Sequence, residues 1–363
     1  MSAESLFLLA LFGFLVALPV LVYVGRRGGD PLPRLTWVTA FLTLDLIMFG
    51  AFTRLTDSGL GCPDWPGCYG HSNPISAGEH IRAAETAMPT GPVTRVKAWI
   101  EMLHRYFAMG VGVLIIVLMV GAWRRHHRQA NHSPWLATVI FLGVCVQGAL
   151  GALTVTLKLQ PLVVTLHLLG GIALLALLTW LGLRFNPLPA VAAPFALHAR
   201  LALAVLFLQI ALGGWVSTNY AVLACPDFPL CHGQWLPAGM DFQHAFTLWR
   251  PLGQTADGDL IPFASLVAIH WVHRSFAYVV LLVLGSLAVR AWRQPGLGRW
   301  ARILAALLVL QFLTGLSNVL LAWPLPLAVL HNGGAAALVM VLVVINFVLR
   351  GTTAQARTAV SAP

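Results

Sequence analysis

The chain has 363 residues, of which 58% are hydrophobic and only 9% charged, with a formal net charge of +10. Soluble domains carry about a quarter of their residues as Asp, Glu, Lys or Arg, so the composition excludes an ordinary soluble protein and points to a membrane protein. The basic excess does not imply nucleic acid, because it stands in short connectors beside apolar runs, as topology signals do.

A bilayer is crossed by about 20 apolar residues as a helix. Runs of that kind are found at 5–24, 35–52, 99–122, 135–156, 162–183, 198–218, 265–289, 300–322 and 327–349. They lack the in-out alternation of short strands, which argues against a closed barrel. The expected fold is therefore an all-α polytopic membrane protein with nine spanning helices. The first run is expected to be a retained helix, since its leader MSAES has Glu4, no Lys or Arg, and no small-residue cleavage site after it. Connectors bearing Arg26, Arg27 and Arg34, then Arg124, Arg125 and Arg128, then Arg184 and Arg200, then Arg290, Arg293, Arg299 and Arg302, and the tail with Arg350 and Arg357, are cytoplasmic by the positive-inside rule. The connectors at 53–98, near Lys158, at 219–264 and near Trp323 are then exported.

Two of the exported connectors contain similar loops, CPDWPGC from Cys62 to Cys68 and CPDFPLC from Cys225 to Cys231. In an oxidising compartment Cys62–Cys68 and Cys225–Cys231 are disulfide candidates. Four thiolates on one zinc are the weaker alternative, because the spacing exceeds the usual two to four residues. Cys145, alone in an apolar run, reads as packing.

The loops belong to a larger repeat. EMLHRYFAMGVGVLI from Glu101 aligns with HWVHRSFAYVVLLVL from His270, QGALGALTV from Gln147 with QFLTGLSNV from Gln311, and VTLHLLGG with AVLHNGGA. This divides the chain into an extra helix with its connector (1–34), a first four-helix repeat (35–190), a second (191–350) and a cytoplasmic tail (351–363). An even number of helices per repeat gives both copies one orientation, related by a pseudo-two-fold axis along the membrane normal.

Thirteen histidines are present. His126, His127 and His132 in a basic connector, and His71, His80, His232 and His244 in exported loops, read as solvated. His104, His167, His273 and His331 lie inside apolar runs at equivalent places in the two copies. His104 and His167 each stand five residues past the outer end of a run, about 8 Å deep at 1.5 Å per residue, and His273 and His331 fall at nearly the same level. Two opposed imidazoles at one depth can hold a haem iron from both faces. A single such histidine would be explained as well by helix–helix hydrogen bonding or proton relay; four, paired by repeat and level, favour haem. Gly170 and Gly334, three residues after their histidines, and Ala108 and Ala277, four after theirs, would leave room for a flat porphyrin. Arg105 and Arg274 suit haem propionates and equally suit snorkelling to the interface.

The copies differ at Glu101, which is matched by His270. A carboxylate one turn from His104 can accept a proton or stabilise positive charge on a substrate; the bland alternative is a pairing with Arg105 or a neighbouring helix. Asp45, a second acid within an apolar run, suggests a packing or proton role. Arg54, Asp57 and Ser58 form a polar run that would shape an entrance above the first copy. The first copy thus reads as catalytic and the second as a cofactor holder.

Over about 35–349 the chain resembles the haem A synthase family, by Glu101-x-x-His104-Arg105, His167 with its glycines, His273-Arg274, His331 and the doubled Cys-Pro-Asp loops. The resemblance implies an enzyme that oxidises a ring methyl of haem O to a formyl group, giving haem A for terminal oxidases. It also implies that His104 and His167 hold the substrate haem, that His273 and His331 hold a resident haem b that passes electrons, and that Glu101 is the catalytic acid or base. The paired cysteines resemble the bacterial branch, which implies a bacterial inner membrane with the loops on the periplasmic side. The family usually has eight helices and a cytoplasmic N-terminus; here a ninth in front implies an exported one. A b-type cytochrome carrying electrons from quinol, or a haem transporter or chaperone, would fit the four histidines equally; neither would need Glu101. Left open are the electron donor, docking to the farnesyltransferase that supplies haem O, a homo-oligomer, and a structural or redox role for the disulfides.

Overall fold

The computed structural model describes residues 3–128 and 133–350; His132, Arg357 and the tail 351–363 lie outside the described residues. Among the described residues there are eleven helices: α1 Ala3–Arg26, α2 Pro31–Leu55, α3 Gly78–Ala87, α4 Arg95–Arg128, α5 Trp135–Thr156, α6 Pro161–Phe185, α7 Ala196–Thr218, α8 Phe242–Ala245, α9 Phe263–Arg293, α10 Gly298–Leu320 and α11 Leu325–Val348. Nine are long and apolar enough to cross a membrane; seven contain an expected run whole, and the runs 300–322 and 327–349 overreach the ends of α10 and α11 by two residues and one. The protein is an all-α polytopic membrane protein. The expectation missed α3 and α8, which are short and lie within the long connectors, where no apolar period announces them.

The chain forms two compact units, Met1–Leu178 with Trp249–Leu252, and Thr179–Leu248 with Gly253–Pro363. In the first, α4 is the central element and packs against α1, α2 and α5. Asp30 caps α2 by accepting the Leu32 N–H at 3.1 Å, with Pro31 in the first turn where a missing N–H costs nothing. Buried hydroxyls along α2 return to their own helix, Thr36 to Leu32 O, Thr39 to Leu35 O and Thr43 to Thr39 O, at 2.7–2.8 Å. Such back-bonding removes the cost of a polar atom in an apolar setting. The extra helix α1 joins this unit closely: Leu9 is buried with Cys62, Cys68, Met102 and Tyr106, and the Phe12 ring packs at a tilt on Tyr106 with centroids 4.9 Å apart.

In the second unit α7 packs on α9 and α11, and α10 on α9 and α11. The short α8, capped by Asp241, lies against α9. Equivalent turns in the two units share a backbone shape. Positive φ occurs at Asp57 and Tyr220, at Tyr69 and His232, at Lys158 and Ala322, and at Leu159 and Trp323. Non-glycine residues seldom adopt this region, so four matched pairs carry the sequence repeat into the backbone.

Two expectations about single residues change. Cys145 is exposed on the side of α5 rather than packed, so the apolar run gave its environment but not its face. Asp45 is likewise exposed along α2.

Candidate functional site

Each of the four intramembrane histidines meets a glycine on the preceding long helix of its unit. A Cβ on Gly50 of α2 would lie 3.1 Å from His104 Cε1, and one on Gly151 of α5 would lie 3.2 Å from His167 Cε1. The corresponding distances are 2.9 Å from Gly213 of α7 to His273 and 3.0 Å from Gly315 of α10 to His331. A side chain at any of these positions would displace the imidazole, so the glycines are the cradles of the rings. In three of the four helices a glutamine stands one turn before the glycine. Gln147 Nε2 donates to the His167 carbonyl at 2.5 Å, Gln209 Nε2 to that of His273 at 3.2 Å and Gln311 Nε2 to that of His331 at 3.0 Å.

This changes the reading of Gly170 and Gly334. A Cβ on either would fall 2.3 or 2.4 Å from the amide oxygen of Gln147 or Gln311. Their missing side chains make room for the glutamines, and the surface beside the imidazoles belongs to Gly50, Gly151, Gly213 and Gly315.

Phe49 borders the His104 ring at 5.7 Å, edge to face. The Nδ1 atoms of His104 and His167 are buried without a hydrogen-bond partner. An orphaned polar atom of this kind costs about 1–3 kcal/mol, and each of the two rings has a glycine at its edge.

Above each first histidine lies a cysteine loop. Cys62 is bonded to Cys68 and Cys225 to Cys231. Beyond each pair the chain reverses in two residues of positive φ, Tyr69–Gly70 and His232–Gly233, between Cys68 and His71 and between Cys231 and Gln234, which exchange backbone hydrogen bonds. The loop aspartate closes the turn. Asp64 accepts the N–H groups of Tyr69 and Gly70 at 2.6 and 2.8 Å, and Asp227 those of His232 and Gly233 at 2.8 and 2.9 Å. The Gly233 N–H, with that of His232, holds the Asp227 carboxyl below the usual carboxylate range.

Each loop is latched to its long helix by the arginine the copies share and by the residue at which they differ, Glu101 or His270. Glu101, 4% exposed, accepts the Cys62 N–H at 2.8 Å and an N–H of Arg105. Arg105 Nη1 donates to the carbonyls of Asp64, Pro66 and Gly67 at 2.8, 3.2 and 2.6 Å. In the second unit His270 Nδ1 accepts the Cys225 N–H at 3.2 Å, and Arg274 donates to the carbonyls of Cys225, Pro229 and Leu230 at 3.0–3.4 Å. Sequence comparison set Glu101 against His270 as a difference, yet the two share a structural task. The guanidinium groups of Arg105 and Arg274, for which the sequence suits haem propionates and interfacial snorkelling equally, are engaged by the loops. Gly61 permits the closer approach in the first unit, since a Cβ there would lie 2.5–2.6 Å from the α4 backbone at Lys97 and Ala98. In the polar run at the end of α2, Arg54 of the last turn pairs with Asp57 at 3.2 Å and Thr56 bonds Ser58 at 2.8 Å.

This repeated arrangement can be set beside known proteins. Residues 33–343 match COX15-CtaA, described as cytochrome oxidase assembly protein. The chain belongs to the COX15-CtaA family. Among curated relatives of this COX15-CtaA protein, one from Shewanella oneidensis named heme A synthase is 40% identical over 87% of this chain and 97% of its own length. Proteins of the same name from Halalkalibacterium halodurans and Rhodospirillum centenum are 29% and 30% identical, over 79% and 88% of this chain and 86% and 88% of theirs.

Sequence reasoning about this COX15-CtaA chain missed the four cradle glycines and their glutamines. A usable signal was present: Gln147-x-x-x-Gly151, Gln209-x-x-x-Gly213 and Gln311-x-x-x-Gly315 share one spacing, with Leu46 four residues before Gly50 in α2.

Proposed function

We infer that this chain carries out the haem A synthase reaction, oxidising a ring methyl of haem O to the formyl group of haem A for cytochrome oxidase assembly. It is an oxidoreductase that works within the bilayer. The observation that carries the reading is the set of four half-buried histidines within the spanning helices, two per unit, each seated on a glycine that keeps its ring edge clear. Imidazole pairs are a suitable donor set for a haem iron, and the glycines at their edges leave the rings room to take one.

In this reading His104 and His167 hold the substrate haem, and His273 and His331 hold a resident haem b. When bound, haem b supplies one-electron redox chemistry between the first site and an external acceptor or donor. Glu101 lies one turn from His104 and is the acid–base group beside the substrate, able to take a proton as the methyl group is oxidised. Its bond from the Cys62 N–H and its pairing with Arg105 fix the carboxylate in place. Phe49 closes the apolar wall at His104 and helps exclude water. The protein lies in a bacterial inner membrane with the cysteine loops in the periplasm.

An electron carrier or haem chaperone would use the same histidines. The distinguishing experiment expresses the protein in cells that make haem O, then extracts and chromatographs the haems. Haem A is expected with the wild type and none with Glu101→Ala, while the low-spin haem spectrum persists in both. Finding haem B alone with the wild type, despite abundant haem O, would refute the synthase reading.

A further inference from the structure

The two histidine pairs differ in what their second ring nitrogen touches. In the first unit the Nδ1 atoms of His104 and His167 are buried without a partner. In the second, Thr314 Oγ1 lies 3.0 Å from His331 Nδ1, and Gln209 Nε2 lies 3.2 Å from His273 Nδ1. Thr314 stands three residues after Gln311 and one before Gly315; the equivalent place in the first unit, between Gln147 and Gly151, is Leu150. Likewise Gln209, four before Gly213, is matched by Leu46, four before Gly50.

The geometry at Thr314 fixes a proton. Its hydroxyl has one hydrogen, directed to the helix carbonyls of Leu310 at 2.9 Å and Gln311 at 3.2 Å. The oxygen facing His331 is therefore an acceptor, and Nδ1 must carry the ring hydrogen. Neutral imidazole has only one, so the lone pair is left on Nε2. The Gln311 amide nitrogen lies 3.4 Å from Nε2 but makes its shorter bond to the His331 carbonyl at 3.0 Å, which leaves the Nε2 lone pair for a ligand. Thr314 is 4% exposed, so water does not compete for the bond.

We propose that Thr314 is a positioning residue that fixes the His331 tautomer and orientation, making the second pair a permanent iron holder, whereas Leu46 and Leu150 leave the first pair without such support and so able to exchange substrate for product. The inference rests on the reading of His331 as an iron ligand. Hydrogen bonding at the outer nitrogen of a ligating imidazole strengthens it as a donor and stabilises the oxidised metal. Gln209 Nε2 lies 3.2 Å from both His273 Nδ1 and the His273 carbonyl, so its amide braces the orientation of that ring.

The test uses the purified full-length holoprotein and compares Thr314→Val, Thr314→Ser and His331→Ala by haem extraction, potentiometric titration and low-temperature EPR. Thr314→Val, which keeps shape and removes the hydroxyl, is expected to raise the midpoint potential of the haem b and shift its low-spin g values; Thr314→Ser is expected to restore both. An unchanged potential in Thr314→Val, with the haem lost in His331→Ala, would overturn the role of Thr314 while leaving the ligand assignment intact. Retention of the low-spin haem b spectrum in His331→Ala would overturn the ligand assignment and this inference with it. If Thr314→Val folds but binds no haem, Thr314→Ser decides: wild-type content and potential support the hydroxyl's role, and loss of haem there as well overturns it. Leu150→Thr gives the reciprocal arm, with slower loss of haem from the first site on dilution expected and an unchanged rate counting against the proposal.

Discussion

Removal of Arg105 measures how the first cysteine loop is held. Its guanidinium, in a side chain 9% exposed, serves three loop carbonyls and the Glu101 carboxylate, which also receives the Cys62 N–H. Arg105→Ala strands that carboxylate and removes the donor of all three carbonyls. Breaking a buried ion pair by deleting one partner costs about 3–5 kcal/mol. Arg274 also serves three carbonyls, but its acceptor-side companion is a neutral ring and its contacts are partly exposed; about 1.5 kcal/mol is appropriate there. Amide hydrogen exchange reads local opening directly, and about 1.4 kcal/mol corresponds to a tenfold change. In Arg105→Ala, exchange across residues 62–72 should therefore accelerate roughly a hundred- to a few-thousand-fold, and in Arg274→Ala exchange across 225–234 roughly tenfold. Adding Glu101→Gln to Arg105→Ala removes the stranded charge and keeps an acceptor for Cys62, so at least about tenfold of the protection should return. Equal acceleration in the two loops, or no recovery in the double variant, would refute the latch as described.

Gly61→Ala should lift the first loop from α4 and expose the Cys62 amide to exchange, because the new methyl meets backbone rather than a yielding side chain; wild-type protection would contradict this. Gly315→Ala and Gly213→Ala press on the His331 and His273 rings, an overpacking worth about 1–3 kcal/mol, and should lower haem b content in the extracted protein more than Gly285→Ala, which meets nothing within 4 Å. Joint replacement of Cys62 and Cys68 by Ser distinguishes the two roles of that disulfide: loss of conversion with haem content intact favours redox chemistry, and joint loss favours bracing. The Asp227 carboxyl is depressed in the fold, so its contribution is present above the unfolded value and is lost as pH falls through the folded one. Exchange across 225–234 should accordingly rise only below the ordinary aspartate range, near pH 4, and Asp227→Asn should remove that step.

The nine spanning helices were legible because length and apolarity alone define them in a bilayer, and the histidines because imidazoles are rare there. Depth along a helix also follows from counting. Facing does not: Gly170 follows His167 by three residues and was read as porphyrin space, but the neighbouring helix fills that place with Gln147. Gly50 lies far from His104 in sequence and only tertiary packing brings them together. The contrast of Glu101 with His270 suggested different chemistry, and the fold adds a shared duty, since a carboxylate oxygen and a ring nitrogen can each accept the N–H of the first loop cysteine. The extra helix was visible as an apolar run, while its bracing of the cysteine loop through Leu9 and Phe12 depends on α4.

The division of labour between the two histidine pairs is tested most directly by measuring which haem is lost from each single variant, using extraction and chromatography of protein purified from cells making haem O. The account predicts that His273→Ala and His331→Ala lose haem B, and that His104→Ala and His167→Ala keep haem B while losing haem O and haem A. Loss of haem B from His104→Ala or His167→Ala, with its retention in His273→Ala and His331→Ala, would contradict it.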